Sequence, residues 1–308
     1  MKKNGFVLLG IINLLSVFSL YGQSSEIHTV ETTSRQLKIL SWNIYMLPYL
    51  SLFNHNGRRA KVIGSQLKDS DYQIIVFQEA FSNKCRNILS KELKQEYPYQ
   101  YGPANWSFFP VRTNSGLWIV SKIPLEKIEE IQFHSAQGFD RIARKGAVLF
   151  EGNFNGAKFQ LVATHLQADK PTKIRQSQCD QISGLIKKHY KSDEPQILCG
   201  DFNTEMSDKQ SYSQMLKILD AQNGELSGKL KVTYDEENNT LAKHPNGKGE
   251  IIDYILTRNT QLISNIKRNV VEFYHSDPKY KTHLSDHYAM EATVRLAPIN
   301  TQKLIAQQ

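Results

Sequence analysis

Along the chain, short aliphatic and β-branched runs alternate with longer stretches in which apolar residues recur at helical spacing. The short runs predict strands at 37–43, 73–78, 116–121, 145–151, 159–165, 196–200, 251–257 and 287–295, most of them ending at a polar residue. The periodic stretches predict helices at 58–68, 83–96, 173–190 and 211–219. In the third helix Ile174, Ile182, Leu185 and Ile186 share one face with Lys and Gln opposite, the pattern of a helix laid over a sheet. Two mixed β-sheets packed together, with helices outside them, accommodate this order. The expected fold class is therefore α/β, a four-layer sandwich whose strand ends deliver polar residues to one rim.

One apolar run does not belong to this alternation. Lys2 and Lys3 precede a largely apolar run at 6–20, followed by Gly22 and then polar Gln23, Ser24 and Ser25. That arrangement predicts a secretory signal peptide over 1–22, and the run is shorter than the roughly 20 apolar residues that a membrane helix needs. No Cys lies near the cut, which argues against a lipid anchor. The remaining organisation is read as a linker at 23–36, one catalytic domain at 37–297 and a tail at 298–308, with secretion or periplasmic export and no transmembrane segment in the mature chain. A monomer is expected.

Composition adds limits rather than a function. The chain has 308 residues and is 40% hydrophobic, enough for one large core. It shows no internal repeat and no low-complexity tract. Removing Lys2 and Lys3 from the formal charge of +8 leaves +6, which attracts anionic surfaces of lipid or nucleic acid alike. Cys85, Cys179 and Cys199 are an odd set that cannot form a fully paired framework. Cys199 reads as a core thiol, and a Cys85 to Cys179 bridge is left open.

The chemistry lies at the strand ends: Asn43 in Ser-Trp-Asn-Ile-Tyr, Glu79 in Phe-Gln-Glu-Ala, His165 in Thr-His-Leu-Gln-Ala, Asp201 and Asn203 in Gly-Asp-Phe-Asn, Asp253 in Ile-Ile-Asp-Tyr, and Asp286 and His287 in Ser-Asp-His. Each alone is a common loop or turn residue. In Gly-Asp-Phe-Asn the two-residue spacing, if it continues a strand, aims Asp201 and Asn203 the same way. Hard oxygen donors with two imidazoles and no Cys/His spacing select Mg²⁺ or Mn²⁺ over zinc. Such a set supports hydrolysis of a phosphate ester.

In this order the motifs resemble the endonuclease/exonuclease/phosphatase superfamily, and more narrowly the bacterial neutral sphingomyelinases, from about Leu37 to Val294. The narrower resemblance rests on Asn43-Ile44-Tyr45-Met46-Leu47, on the run from Gly116 to Pro124, on Lys145-Gly146, on Thr164-His165-Leu166-Gln167-Ala168-Asp169, and on the loop from Thr233-Tyr234-Asp235 through Asn239, Leu241, Ala242 and Lys243 to Asp253-Tyr254.

The resemblance implies a deoxyribonuclease-like sandwich and a Mg²⁺-dependent phosphodiesterase, with Mn²⁺ or Co²⁺ as substitutes. The substrate it implies is sphingomyelin or a related phosphosphingolipid at a membrane surface, cleaved to ceramide and a phosphorylated headgroup. It also implies roles: Asn43, Glu79 and Asp286 at the metal, His287 as general base oriented by Asp253, Asp201 and Asn203 on the attacking water and a phosphoryl oxygen, and His165 with Asn203 on the substrate. The alternative is a secreted Mg²⁺-dependent endonuclease, for which no committed arginine set is visible and no stable nucleic-acid partner is expected.

The remaining polar residues receive plainer readings. His55, His134, His189, His244, His275 and His283 are expected in solvated loops or helix ends, Arg58, Arg59 and Lys61 on a helix face, and Lys187 and Lys188 at a solvated helix end. Secreted haemolytic members of the resembled family carry an aromatic-tipped hairpin before Ser-Asp-His. The stretch at 270–284 keeps Phe273, Tyr274 and Tyr280 but has no Trp-Phe tip, so strong membrane insertion there is not expected. The segment 45–53, with Met46, Leu47, Tyr49, Leu50, Leu52 and Phe53, is an alternative apolar surface or core packing.

Overall fold

The first strand, β1 (Gln36–Asn43), shows how the layers arise. Leu37 and Ile39 enter one apolar cluster while Leu40 and Trp42 enter another, because successive side chains of a strand point to opposite faces. Both faces are covered, which is why the strand reads as a nearly continuous apolar run. The computed structural model describes residues 35–47, 55–106, 113–168, 172–275, 277, 279–280 and 282–297. These all belong to one compact unit.

The first sheet orders β12 (Ile263–Val271), β13 (Ala289–Leu296), β1, β2 (Ile74–Gln78), β4 (Trp118–Ser121) and β3 (Tyr99–Tyr101). The second orders β11 (Asp253–Arg258), β8 (Gln196–Asp201), β7 (Ala157–His165), β6 (Gly146–Phe154) and β5 (Leu125–Gln132). Helices α1 (Asn56–Leu67) and α2 (Asn83–Leu93) pack Ile63, Leu67, Leu89 and Leu93 against Leu40, Trp42, Ile75 and Phe77. Helices α3 (Thr172–Lys188) and α4 (Lys209–Leu219) set Ile182, Leu185, Ile186, Met215 and Leu219 on the second sheet. A small ribbon pairs β9 (Tyr234–Asp235) with β10 (Gly249–Glu250). The result is the four-layer α/β sandwich expected from the sequence.

Every predicted strand and helix is present, with ends moved by a few residues. β4 starts at Trp118 rather than at 116 because Gly116 has φ +73, and a Cβ there would meet Glu79 and Phe81. Three short strands, β3, β9 and β10, and the longer β5 and β12 were not predicted. β5 and β12 are the outer strands of their sheets, so one side of each faces solvent and carries Lys, Glu or Asn, which erases the apolar run.

The signal peptide, the linker up to residue 34, the tail, Asp169, Tyr49, Leu50, Leu52 and Phe53 lie outside the described residues. Of the 45–53 segment, Met46 is fully buried, in keeping with core packing. All three cysteines are free and buried. Cys85 sits in the cluster under α1 and α2 and Cys179 in the cluster between the sheets and α3, so the two do not pair. No helix among the described residues is long and apolar enough to cross a membrane.

Candidate functional site

Strand direction explains why chemistry collects on one rim. β1 and β2 run parallel, with Asn43 opposite Gln78, so Asn43 and Glu79 emerge together at the strand ends. β7 and β8 also run parallel and finish with His165 opposite Asp201. β11 and β13 run against their neighbours, so the same rim receives their starting residues. Asp253 lies opposite Asp201, and Asp286 and His287 immediately precede β13.

A cleft of about 540 Å³ opens at this rim, lined by Glu79, His165, Asp201, Asn203, Asp286 and His287 among others. Asn43 and Asp253 are buried against them, with Asn43 Nδ2 donating to Asp201 Oδ2 at 3.0 Å. All eight residues singled out in the sequence are therefore brought to one place. His287 Nδ1 and Asp253 Oδ2 are 2.9 Å apart, and His287 Nε2 turns towards Asp201 Oδ2 at 3.8 Å. The carbonyl of His287 accepts from Trp42 Nε1 at 2.9 Å, which pins its backbone to β1.

Charge in the cleft is unevenly compensated. Burial, and then the neighbouring Asp286 carboxylate, push Glu79 up to about 7. Burial also raises Asp286, and burial followed by Asp253 raises Asp201 to about 6. Burial opposes the charged form of His287, yet Asp253, Asp201 and Asp286 together outweigh it and lift the imidazole well above its ordinary value. Burial, with positive charge from Lys145 and His287, holds His165 well below that value, so it is neutral.

Two groupings can be weighed as a metal position. Asp201, Asp253 and His287 have ligand atoms within 4.8 Å of one another, but His287 and Asp253 already spend their nearest atoms on each other and Asp201 accepts from Asn43. Glu79 Oε2 and Asp253 Oδ1 are both buried without a hydrogen-bond partner, but Asp253 is paired with His287 whereas Glu79 lies beside a second raised carboxylate. Oxygen donors with unbalanced negative charge fit a hard divalent cation, so the Glu79 side fits Mg²⁺ better.

Several expectations need correction. Asp201 and Asn203 do not project from one strand, because β8 ends at Asp201 and Asn203 takes φ +48. Asp201 Oδ1 instead accepts from the Asn203 backbone N–H at 2.9 Å, and Asn203 Nδ2 donates to the Leu166 carbonyl at 3.1 Å. His275 and His283 are buried rather than solvated. His283 Nε2 bonds Glu272 at 2.7 Å while its Nδ1 accepts from the Thr240 N–H at 2.9 Å. Arg59 is 2% exposed, not part of a solvated face, and donates to the carbonyls of Ile44 and Tyr45. At 270–284, Phe273 stacks on Trp42 with ring centroids 4.5 Å apart and Tyr280 lies against His275 and Arg58, so these aromatics are occupied by the protein itself.

Sequence reasoning gave Lys145 no role. It is 4% exposed and reaches Asp140 Oδ1 at 2.8 Å, His165 Nε2 at 2.9 Å and the Leu166 carbonyl at 2.8 Å. A lysine at the mouth of a strand looks like a solvated flank, and only the inward turn of Asp140 reveals its use. Tyr234, whose ring lies 5.0 Å from that of His287, was likewise unassigned.

Comparison with known proteins finds relatives along most of the chain. Residues 40–287 match the Endonuclease/Exonuclease/phosphatase family. A phospholipase C of Staphylococcus aureus is 32% identical over 92% of this chain and 94% of its own length. A sphingomyelinase C of Bacillus cereus is 28% identical over 95% and 99%. A beta toxin variant of Staphylococcus aureus, solved with bound magnesium ions, superposes with a TM-score of 0.73 at 30% identity, covering 84% of this chain and 99% of that one.

Proposed function

Because the chain belongs to the endonuclease/exonuclease/phosphatase family, we propose that it is a Mg²⁺-dependent sphingomyelin phosphodiesterase releasing ceramide and phosphocholine. The observation that carries this reading is the convergence of the His287–Asp253 pair and the Glu79 carboxylate, with its buried, unpartnered Oε2, on one cleft. The near end-to-end likeness to a phospholipase C and a sphingomyelinase C supports the substrate class.

Glu79, with Asn43 and Asp286, would hold Mg²⁺, which when bound supplies positive charge that offsets these carboxylates and polarises a phosphoryl oxygen. His287 in its neutral form, favoured once a bound cation would offset the carboxylates that raise it, takes a proton from water through Nε2 as the water oxygen bonds to phosphorus and the bond from phosphorus to the ceramide oxygen breaks. Asp253 holds the imidazole through Nδ1 and stabilises the imidazolium that forms. Asp201 and Asn203 orient the water and a phosphoryl oxygen. Neutral His165 accepts from Lys145 and keeps that fixed cation behind the phosphoryl position, where it favours the charge that develops in the transition state.

The rim of the cleft bears on substrate choice. Glu205, Glu236 and Glu250 line it together with Lys248, Arg175 and Tyr234. An acid-rich rim with an aromatic ring suits a cationic choline headgroup and repels the phosphate track of a nucleic acid. Export through a signal peptide at 1–22 and a single catalytic domain at 37–297 complete the proposal, and mass spectrometry of the secreted protein is expected to find Gln23 at its N-terminus.

The direct test is incubation of the mature protein with sphingomyelin, with plasmid DNA, and with either plus a chelator. Phosphocholine release that stops on chelation, with DNA left intact, is the expected result. DNA cleavage without lipid turnover would transfer the site to the nuclease reading.

A further inference from the structure

The catalytic pair is divided between the two sheets. Asp253 opens β11 of the second sheet, and His287 stands just before β13 of the first. The pair meets at His287 Nδ1 and Asp253 Oδ2, 2.9 Å apart, and Asp253 Oδ1 is buried without a hydrogen-bond partner. The carboxylate thus takes its aim from the backbone that carries it, not from a second side chain. A small slip of one sheet against the other would lengthen the bond, so the pair depends on how the two strand ends are fixed to each other.

Thr233, just before β9, touches both ends and is fully buried. Its Oγ1 accepts from the Ile252 N–H at 3.0 Å and from the Asp253 N–H at 3.1 Å. Its carbonyl accepts from the Tyr288 N–H at 2.7 Å, and its own N–H donates to the Glu250 carbonyl at 2.8 Å. The next residue, Tyr234, forms an antiparallel bridge with His287. One residue therefore joins the backbone of the general base to that of its orienting carboxylate. β11 is an outer strand of its sheet, so no strand lies beyond it to take these two amides, and the hydroxyl oxygen does so instead.

We infer that Thr233 is a positioning residue for the His287–Asp253 pair: its hydroxyl oxygen sets the start of β11, and with it the Asp253 carboxylate, at bonding distance from the imidazole. The assignment rests on the catalytic reading above and deepens it. A threonine kept only for packing could be replaced by valine, which is close in shape but offers no acceptor. With valine, two buried N–H groups lose their partner, and the backbone shifts to recover one elsewhere. Thr233 is not among the residues that line the cleft. Its loss therefore acts through the aim of the pair, on the rate of the chemical step, and spares substrate binding.

Thr233→Val and Thr233→Ser separate the hydroxyl from the packing. With Mg²⁺ present and below the melt of each protein, Thr233→Val is expected to lower kcat roughly 10–100-fold with KM kept within about twofold. Thr233→Ser, which keeps the oxygen, is expected to return kcat to within about twofold of the unmodified rate. The low-field proton resonance of His287 Nδ1–H on Asp253, assigned by its loss in Asp253→Asn, is expected to move in the valine protein and to stay in the serine protein. An unmodified kcat in the valine protein, a loss carried wholly by KM, or a serine protein as slow as the valine one would each overturn the role. Should the valine protein not fold, Thr233→Cys takes its place, since a thiol is only a weak acceptor: a rate below that of the serine protein supports the role, and an equal rate overturns it. The imidazole resonance is read without substrate. If the unmodified protein leaves sphingomyelin intact, the catalytic reading falls by itself, while the resonance still decides what Thr233 holds in place.

Discussion

His287 is subject to two opposing influences, burial that disfavours its charge and three carboxylates that favour it, and the second prevails. Replacing it with Ala is expected to lower kcat about 10²–10⁴-fold with the Mg²⁺ response of stability kept, which rate measurements beside thermal melts will check. Asp253→Asn is expected to lose part of the same factor, and a pH–rate profile unchanged from the unmodified protein would contradict its orienting role. Glu79 gives a pH prediction. Its folded pKa of about 7 lies above that of an exposed glutamate, so the metal-free protein loses stability as pH rises through that interval. A bound cation removes this penalty, so the gain in Tm on adding Mg²⁺ is expected to be larger at about pH 8 than at about pH 5. Glu79→Gln should flatten that difference. The identities of these residues could be read in the chain because each sits at one end of an apolar run. The contacts of Lys145, Arg59 and His283 could not, since a buried charge is recognised only by the partners that a distant segment supplies.

At the scale of elements, Gly200 shows how close packing places the catalytic pair. A Cβ there would collide with the Thr164 carbonyl, across the register that sets His165 opposite Asp201. Gly200→Ala is expected to cost roughly 1–3 kcal/mol, seen as a lower Tm, and to reduce kcat as the two strand ends part. An unaltered Tm with unaltered turnover would show that the strands yield without moving the site. Central strands were legible because they are covered on both faces and read as apolar runs. The outer strands β5 and β12 were not, because Glu126, Lys127, Glu129 and Glu130 in one and Lys267, Arg268 and Asn269 in the other look as much like a helix or loop as a strand. What makes them strands is the hydrogen-bonding edge offered by β6 and β13.

For the whole molecule, free thiols on separate faces of the sandwich imply that a thiol reagent titrates none of the three cysteines in the native protein and all of them in denaturant. A disulfide found by mass mapping would contradict the fold's separation of Cys85 from Cys179. By itself, the sequence determined the layer architecture, the order of the helices and the central strands and the residue types at the strand ends, since burial pattern and donor chemistry are written locally. Tertiary structure alone decided that Asp201 turns back on the Asn203 backbone, that Lys145 stands behind His165, that Phe273 packs on Trp42 and that Phe139 faces solvent. These outcomes depend on which backbone and side chains arrive from elsewhere in the chain to satisfy or exclude a group, and no local pattern of hydrophobic and polar residues contains that information.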